Sequence, residues 1–375
     1  MTKGRVGPTE TAGLYVHIPF CLTRCGYCDF NTYAGLDHLA GGYVEALLHE
    51  ADLAAPGWSS LSFVSLFLGG GTPTTLPSPQ LASLIDHLRA RFAFVAEPEV
   101  TSEANPDTVD EAYLSGIRAG GVTRLSMGVQ SFDREVLRSL ERLHSAGSAR
   151  AAFGAARRVG FDNINLDLIY GANGETLESW QRTVEEAVAL RPEHLSCYAL
   201  TIEPATPLGR KVAAGLVPPP DPDLQADMYD LACAKLREGG YEHYEISNWA
   251  LPGFRCRHNM GYWESRAYLG LGAGAHSYRN GRRWWNVRPP QQYLAMLGSG
   301  RLPVGGEERP RNQEHRMERL LLGLRTASGI PVEQVDSARA EAFVDEGLAV
   351  RRDGRMALTD RGMLLANEIV LELAT

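Results

Sequence analysis

Strand-like and helix-like stretches alternate six times in the first two hundred residues, and few folds tolerate that order. Apolar, β-branched and aromatic runs of strand length stand at 13–19, 62–68, 99–104, 122–129, 163–169 and 195–200. Between them, helical periodicity occupies 43–53, 80–92, 108–119, 134–143, 148–159 and 176–190. With right-handed crossovers this order builds a parallel sheet, and six units fall short of the eight that close a full barrel. The expected fold is α/β, an open partial (β/α)6 barrel of the TIM type. Ligands of such sheets gather at the C-terminal strand ends, where loops converge without disturbing the core.

After about residue 203 the pattern changes. A proline-rich connector at 217–222 precedes a helix at 224–238, and a second Gly- and Pro-rich stretch at 298–312 precedes a helix at 314–325. We therefore expect a barrel over 1–202, a barrel-edge extension over 203–300 and a small, mainly helical module over 301–375. The order of elements in this tail, with a hairpin signal at Asp353 and Gly354 and a last helix from Arg361, resembles a winged helix. From Arg311 onward nine Arg and Lys face eleven Asp and Glu. That balance, within a chain of formal charge −8, opposes the phosphate attraction that DNA binding exploits. No nucleic-acid partner is expected. No run of about 18 apolar residues is present, so we expect a cytoplasmic protein with at most peripheral membrane contact.

Six cysteines are too few for a disulfide scaffold, and three crowd into eight positions. Cys21, Cys25 and Cys28 follow the first strand in the spacing CxxxCxxC. Thiolates this close can converge on one metal centre. A structural zinc site wants four protein ligands, for which His17 or Asp29 is a candidate, whereas a 4Fe-4S cluster on three cysteines leaves one iron open. The spacing, with the aromatic Tyr27 before the third cysteine, resembles the signature of the radical S-adenosylmethionine superfamily. That resemblance implies a 4Fe-4S cluster, S-adenosylmethionine on the open iron, and an external electron donor. The glycine run Gly69-Gly70-Gly71-Thr72 ends the second strand, where absent Cβ atoms admit a ligand close to the backbone.

Seven segments, YVHIPFCLTRCGYCDF (15–30), GGGTPT (69–74), SEANP (102–106), RLSMGVQSF (124–132), LERLH (140–144), NLDLIYG (165–171) and LGLGAGAHSY (269–278), resemble the oxygen-independent coproporphyrinogen III oxidases and their relatives across most of the chain. By that resemblance Tyr15, Tyr27, Gly70, Gly71, Thr72, Glu103, Gln130, Arg142 (on the helix after strand four) and Asp167 contact S-adenosylmethionine. Thr201 and His276 fall in two further contact regions.

Two residues patterns divide the family. The oxidases carry a fourth cysteine two residues after the third, where this chain has Phe30, as the heme-chaperone branch does. The segment Arg257-His258-Asn259-Met260-Gly261-Tyr262-Trp263 matches that branch's HNxxYW motif. An imidazole can ligate heme iron, and aromatic faces can hold the macrocycle. The resemblance thus implies heme contact by His258, Asn259, Tyr262 and Trp263, with Cys256 as an alternative ligand, and heme-accepting, respiratory proteins as partners. The alternative is a coproporphyrinogen III oxidase. Gly270, Gly272 and Gly274 do not form a dinucleotide loop, because 277–286 reads as a hairpin turning at Asn280 and Gly281 instead of a phosphate-binding helix. Cys197 and Cys233 read as core.

Overall fold

The computed structural model describes residues 10–374. All six expected strands form: β1 (Thr11–Ile18), β2 (Ser62–Gly70), β3 (Phe94–Ala104), β4 (Arg124–Gln130), β5 (Ile164–Tyr170) and β6 (His194–Ala199), each paired in parallel with the next. Most of their residues are buried; in β5 only Asp167 is partly exposed. That is the pattern of strands covered on both faces.

The sheet is wider than six strands. On the β6 edge lie β7 (Glu242–Glu245) and β8 (Asn248–Ala250), antiparallel. On the other edge β9 (Ala267–Leu271) pairs in parallel with β1, and β10 (His276–Arg279), β11 (Arg282–Asn286) and β12 (Val304–Glu308) continue antiparallel. The strand order is β12-β11-β10-β9-β1-β2-β3-β4-β5-β6-β8-β7. The β10–β11 turn holds Asn280 and Gly281 at φ of 53° and 70°, as a tight hairpin requires.

Helices cover the outside. Those at Ala40–Ala54, Ser78–Arg91, Glu111–Ala119, Ala146–Arg158 and Leu177–Leu190 coincide with the periodic segments to within three residues at either end. Ser145 and Thr176 cap two of them by accepting a hydrogen bond from the backbone three residues on. The fourth differs: it spans Arg134–Ser139 and stops before Arg142. Glu141 is in the left-handed region (φ 55°), and the Arg142 N–H bonds back to the Leu137 carbonyl. Arg142 therefore lies on a loop beyond the helix, and its side chain turns inward.

A short helix, Arg257–Trp263, seats the HNxxYW segment against β1 and β2. In the tail, helices Asn312–Leu324 and Ser337–Asp345 are followed by a hairpin of Ala349–Arg352 and Arg355–Leu358, then helices Asp360–Leu364 and Ala366–Ala374. Ile330–Pro331 completes its three-stranded sheet. Asp360 joins this tail to helix Pro222–Glu238 and β7 through Arg237 and His243. Among the described residues no helix is long and apolar enough to cross a membrane.

Candidate functional site: two cavities at the strand ends

The loop after β1 carries Cys21, Cys25 and Cys28, all half-buried and none in a disulfide. It is fastened on both sides: the Thr72 N–H donates to the Phe20 carbonyl at 2.8 Å, and the Tyr33 N–H to the Pro19 carbonyl at 2.7 Å. The Cys21 and Cys28 thiols lie 3.6 and 3.8 Å from the hydroxyls of Thr72 and Thr32. Burial pushes the Cys21 thiol up to about 11 and raises that of Cys28. The Arg142 guanidinium reaches Cys25 Sγ at 3.5 Å.

The donor set fits a cluster; of the two candidates for a fourth zinc ligand, Asp29 is exposed and lines the adjoining cavity, whereas His17 is engaged. His17 cannot serve as a fourth ligand where it stands, because Nδ1 meets the Tyr15 hydroxyl and Nε2 the Asn31 carbonyl, both at 2.9 Å. Three thiols with a guanidinium beside them suit a 4Fe-4S group whose fourth iron takes an exogenous ligand. When bound, such a group supplies a single electron to S-adenosylmethionine.

A cavity of about 480 Å³ opens beside the thiols. Tyr27, Gly70, Gly71, Thr72, Glu103, Gln130, Arg142, Asp167 and Thr201 all line it. Glycine is required at the turn: Gly70 has φ of 110°, and a Cβ on Gly71 would stand 2.6 Å from the Phe20 carbonyl oxygen. Gln130, also at positive φ (64°), ends β4 where its register with β5 shifts. Arg142 donates to the Gly128 carbonyl at 2.8 Å and to Asn105 Oδ1 at 2.6 Å, while Asn105 Nδ2 donates to Thr72 at 2.9 Å. Asn105 was legible only as part of SEANP; its side chain ties the glycine turn to Arg142.

Two of the carboxyls that line the cavity, Asp167 and Glu103, differ in their partners. Asp167 accepts from Asn165 Nδ2 at 2.9 Å and Ser126 Oγ at 3.1 Å. Glu103 accepts from the Gly70 N–H at 3.0 Å. Burial first, and then the charge of Asp167, raise Glu103 to about 8.

Tyr15 and His276 do not join this group. They line a second cavity, of about 610 Å³, with Tyr262, Tyr268, Trp285 and Arg288. The two cavities share Phe30, Gly70 and Glu103. Asn31 stitches the cysteine loop to the wall of the second cavity, its Nδ2 donating to the carbonyls of Ala273 and Arg288 at 2.9 and 3.0 Å.

The HNxxYW side chains are not brought to one place. Tyr262 lines the second cavity, and Asn259 and Trp263 do not. His258 is 3% exposed. Its Nδ1 meets Ser65 Oγ and its Nε2 the Tyr262 hydroxyl, both at 2.9 Å, and Phe67 stacks on the ring. Burial, with the charges of Arg124 and Arg266, lowers its pKa to about 3, so the ring is neutral. It stands on a helix whose first N–H groups donate to the Glu99 carboxylate at 3.0 and 3.1 Å. Cys256 lies beside the same carboxylate, 3.5 Å away and fully buried. Cys197 and Cys233 are core, 1% and 3% exposed.

The family model for the radical SAM superfamily matches residues 15–187. The chain is 42% identical to the heme chaperone HemW of Mycobacterium tuberculosis, over 98% of this chain and 95% of that protein. It is 34% identical to the heme chaperone HemW of Bacillus subtilis, over 95% and 97%. Among solved structures, the radical SAM enzyme coproporphyrinogen III oxidase (HemN) of Escherichia coli superposes with a TM-score of 0.84 at 26% identity, covering 99% of this chain and 92% of that one.

Proposed function

Because the chain belongs to the HemW family of radical S-adenosylmethionine proteins, we propose that it binds heme and passes it to heme-requiring proteins, acting as a carrier built on an enzyme scaffold. The observation that carries this reading is the second cavity. Its aromatic wall of Tyr262, Tyr268 and Trp285 suits a flat macrocycle. It opens beside the cysteine loop at Phe30, which is 66% exposed and stands where the oxidases have their fourth cysteine.

In this reading Cys21, Cys25 and Cys28 hold the cluster. Tyr27, Gly70, Gly71, Thr72, Glu103, Gln130, Arg142 and Asp167 hold S-adenosylmethionine, with Thr201 at the rim and Tyr15 behind Gly70. Within the HNxxYW motif, Tyr262 meets heme and His258 holds the Tyr262 hydroxyl from below, while Asn259 and Trp263 lie outside the cavity. The barrel of 1–202 carries cluster and S-adenosylmethionine, 203–300 supplies the heme-facing wall, and 301–375 packs against the outside. The work is placed in the cytoplasm, with an electron donor for the cluster and respiratory proteins as acceptors.

A second reading, oxidation of coproporphyrinogen III, is favoured by the whole-length superposition on HemN. An anaerobic heme titration of cluster-reconstituted protein, followed at the Soret band, separates the two when run beside a coproporphyrinogen turnover assay. Saturable binding of one heme with no protoporphyrinogen formed supports the carrier. Turnover without heme binding supports the oxidase.

A further inference from the structure

We propose that His276 is the heme-iron ligand of this protein. The inference rests on the carrier reading and goes beyond it by assigning the iron to a histidine outside the HNxxYW motif.

A neutral imidazole ligates iron through a nitrogen lone pair, so the ligand needs a free ring nitrogen facing a space large enough for the macrocycle. Three histidines stand at or below the second cavity. His17 has both nitrogens engaged, by Tyr15 and Asn31. His258 has both engaged, by Ser65 and Tyr262, and is buried beneath the cavity. Ligation by either would break a buried hydrogen bond and strand its partner. His276 is exposed, lines the cavity, and makes no side-chain hydrogen bond among the described residues.

Its surroundings orient it. His276 begins β10 and pairs directly with Trp285 on β11, whose ring stacks on the imidazole with centroids 5.6 Å apart. Both lie on rigid paired strands. The backbone is constrained as well: a Cβ on Gly270 would stand 2.1 Å from the His276 carbonyl oxygen, so the strand before it must be glycine there for the hairpin to fold back. Arg288, exposed at the rim and free of ion pairs among the described residues, suits a heme propionate. The cavity volume of about 610 Å³ falls among those that enclose small-molecule ligands, roughly 300–1,000 Å³.

The test is a hemin titration of wild type, His276→Ala and Arg288→Gln, all cluster-reconstituted, with Soret position and affinity as readouts. We expect His276→Ala to weaken binding at least tenfold and move the Soret band, and added imidazole to restore the wild-type spectrum. Arg288→Gln should weaken binding by a few-fold with the band unmoved. Cluster absorbance equal to wild type shows that the fold is kept. Heme bound by His276→Ala with wild-type affinity and spectrum would overturn the ligand assignment alone. A wild type that binds no heme would overturn the carrier reading itself. Loss of S-adenosylmethionine binding in equilibrium dialysis, with heme binding intact, would return His276 to the S-adenosylmethionine site.

Discussion

The barrel has a floor and a mouth, and both are built from polar residues. Beneath the cavities, Asn165 joins Ser126, Asp167, His194 and Ser196; His194 meets Tyr244; Glu99 caps the helix that carries His258. There the polar groups satisfy one another, so the floor is a packed interior that happens to be hydrophilic. At the mouth, three thiols, the Glu103 carboxyl and the His276 ring meet few protein partners. Between the two stand Asp167 and Arg142, which are tied to protein partners and also line the first cavity, so the floor holds the mouth's polar groups in place.

Removing one member from each region tests that division. Cys25→Ala is expected to abolish the brown cluster absorbance completely after reconstitution. Its urea unfolding as the apoprotein should stay within about 1 kcal/mol of wild type, since the residue is a half-buried loop side chain. Full cluster occupancy in this variant would sink the assignment.

His258→Ala should do the reverse. It strands the Ser65 and Tyr262 hydroxyls and leaves a cavity under β1 and β2, a cost of roughly 2–4 kcal/mol in urea unfolding. The folded variant should keep the wild-type Soret position. A shifted band would move His258 from the floor to the mouth.

Glu103 tests the mouth by pH. Its carboxyl is raised to about 8, above the unfolded value near 4.5. The folded apoprotein therefore binds a proton that the unfolded chain has released, and stability falls as pH rises through this window. Glu103→Gln should recover about 1–3 kcal/mol relative to wild type between pH 5 and 8, read from unfolding midpoints. A constant difference between the two proteins would show that Glu103 has a stable protein partner.

The smallest effect is expected outside both regions. Arg237→Gln removes a largely exposed pair with Asp360 at the tail, and should change stability by less than about 1 kcal/mol with cluster and heme binding unaltered.

The six central strands were legible because their apolar runs are long and separated by helical periodicity. The cysteine loop and glycine turn were legible because their residue types are unusual at that spacing. Three features escaped. The strand β9 lies in a glycine-rich run, and nothing local tells that Ala267–Leu271 pairs with β1. Arg142 looked helical, because its neighbours Leu140 and Leu143 continue the apolar period; the left-handed turn at Glu141 carries no glycine to mark it. His258 and His276 are alike as letters, and only burial and partners separate them.

That parallel pairing of β9 with β1 also sets an order of assembly. Tyr15 faces Gly70's strand on one side within the first seventy residues, but its neighbour on the other side, Gly270, is synthesised roughly 250 residues later. Contacts so distant in sequence form slowly, because loop closure comes before any reward. On the ribosome, the strand that launches the cysteine loop thus keeps an open edge until nearly three quarters of the chain has emerged, and the second cavity acquires its far wall only with the hairpin that follows. The nascent barrel can shape the cluster loop well before it can close around a large planar cargo.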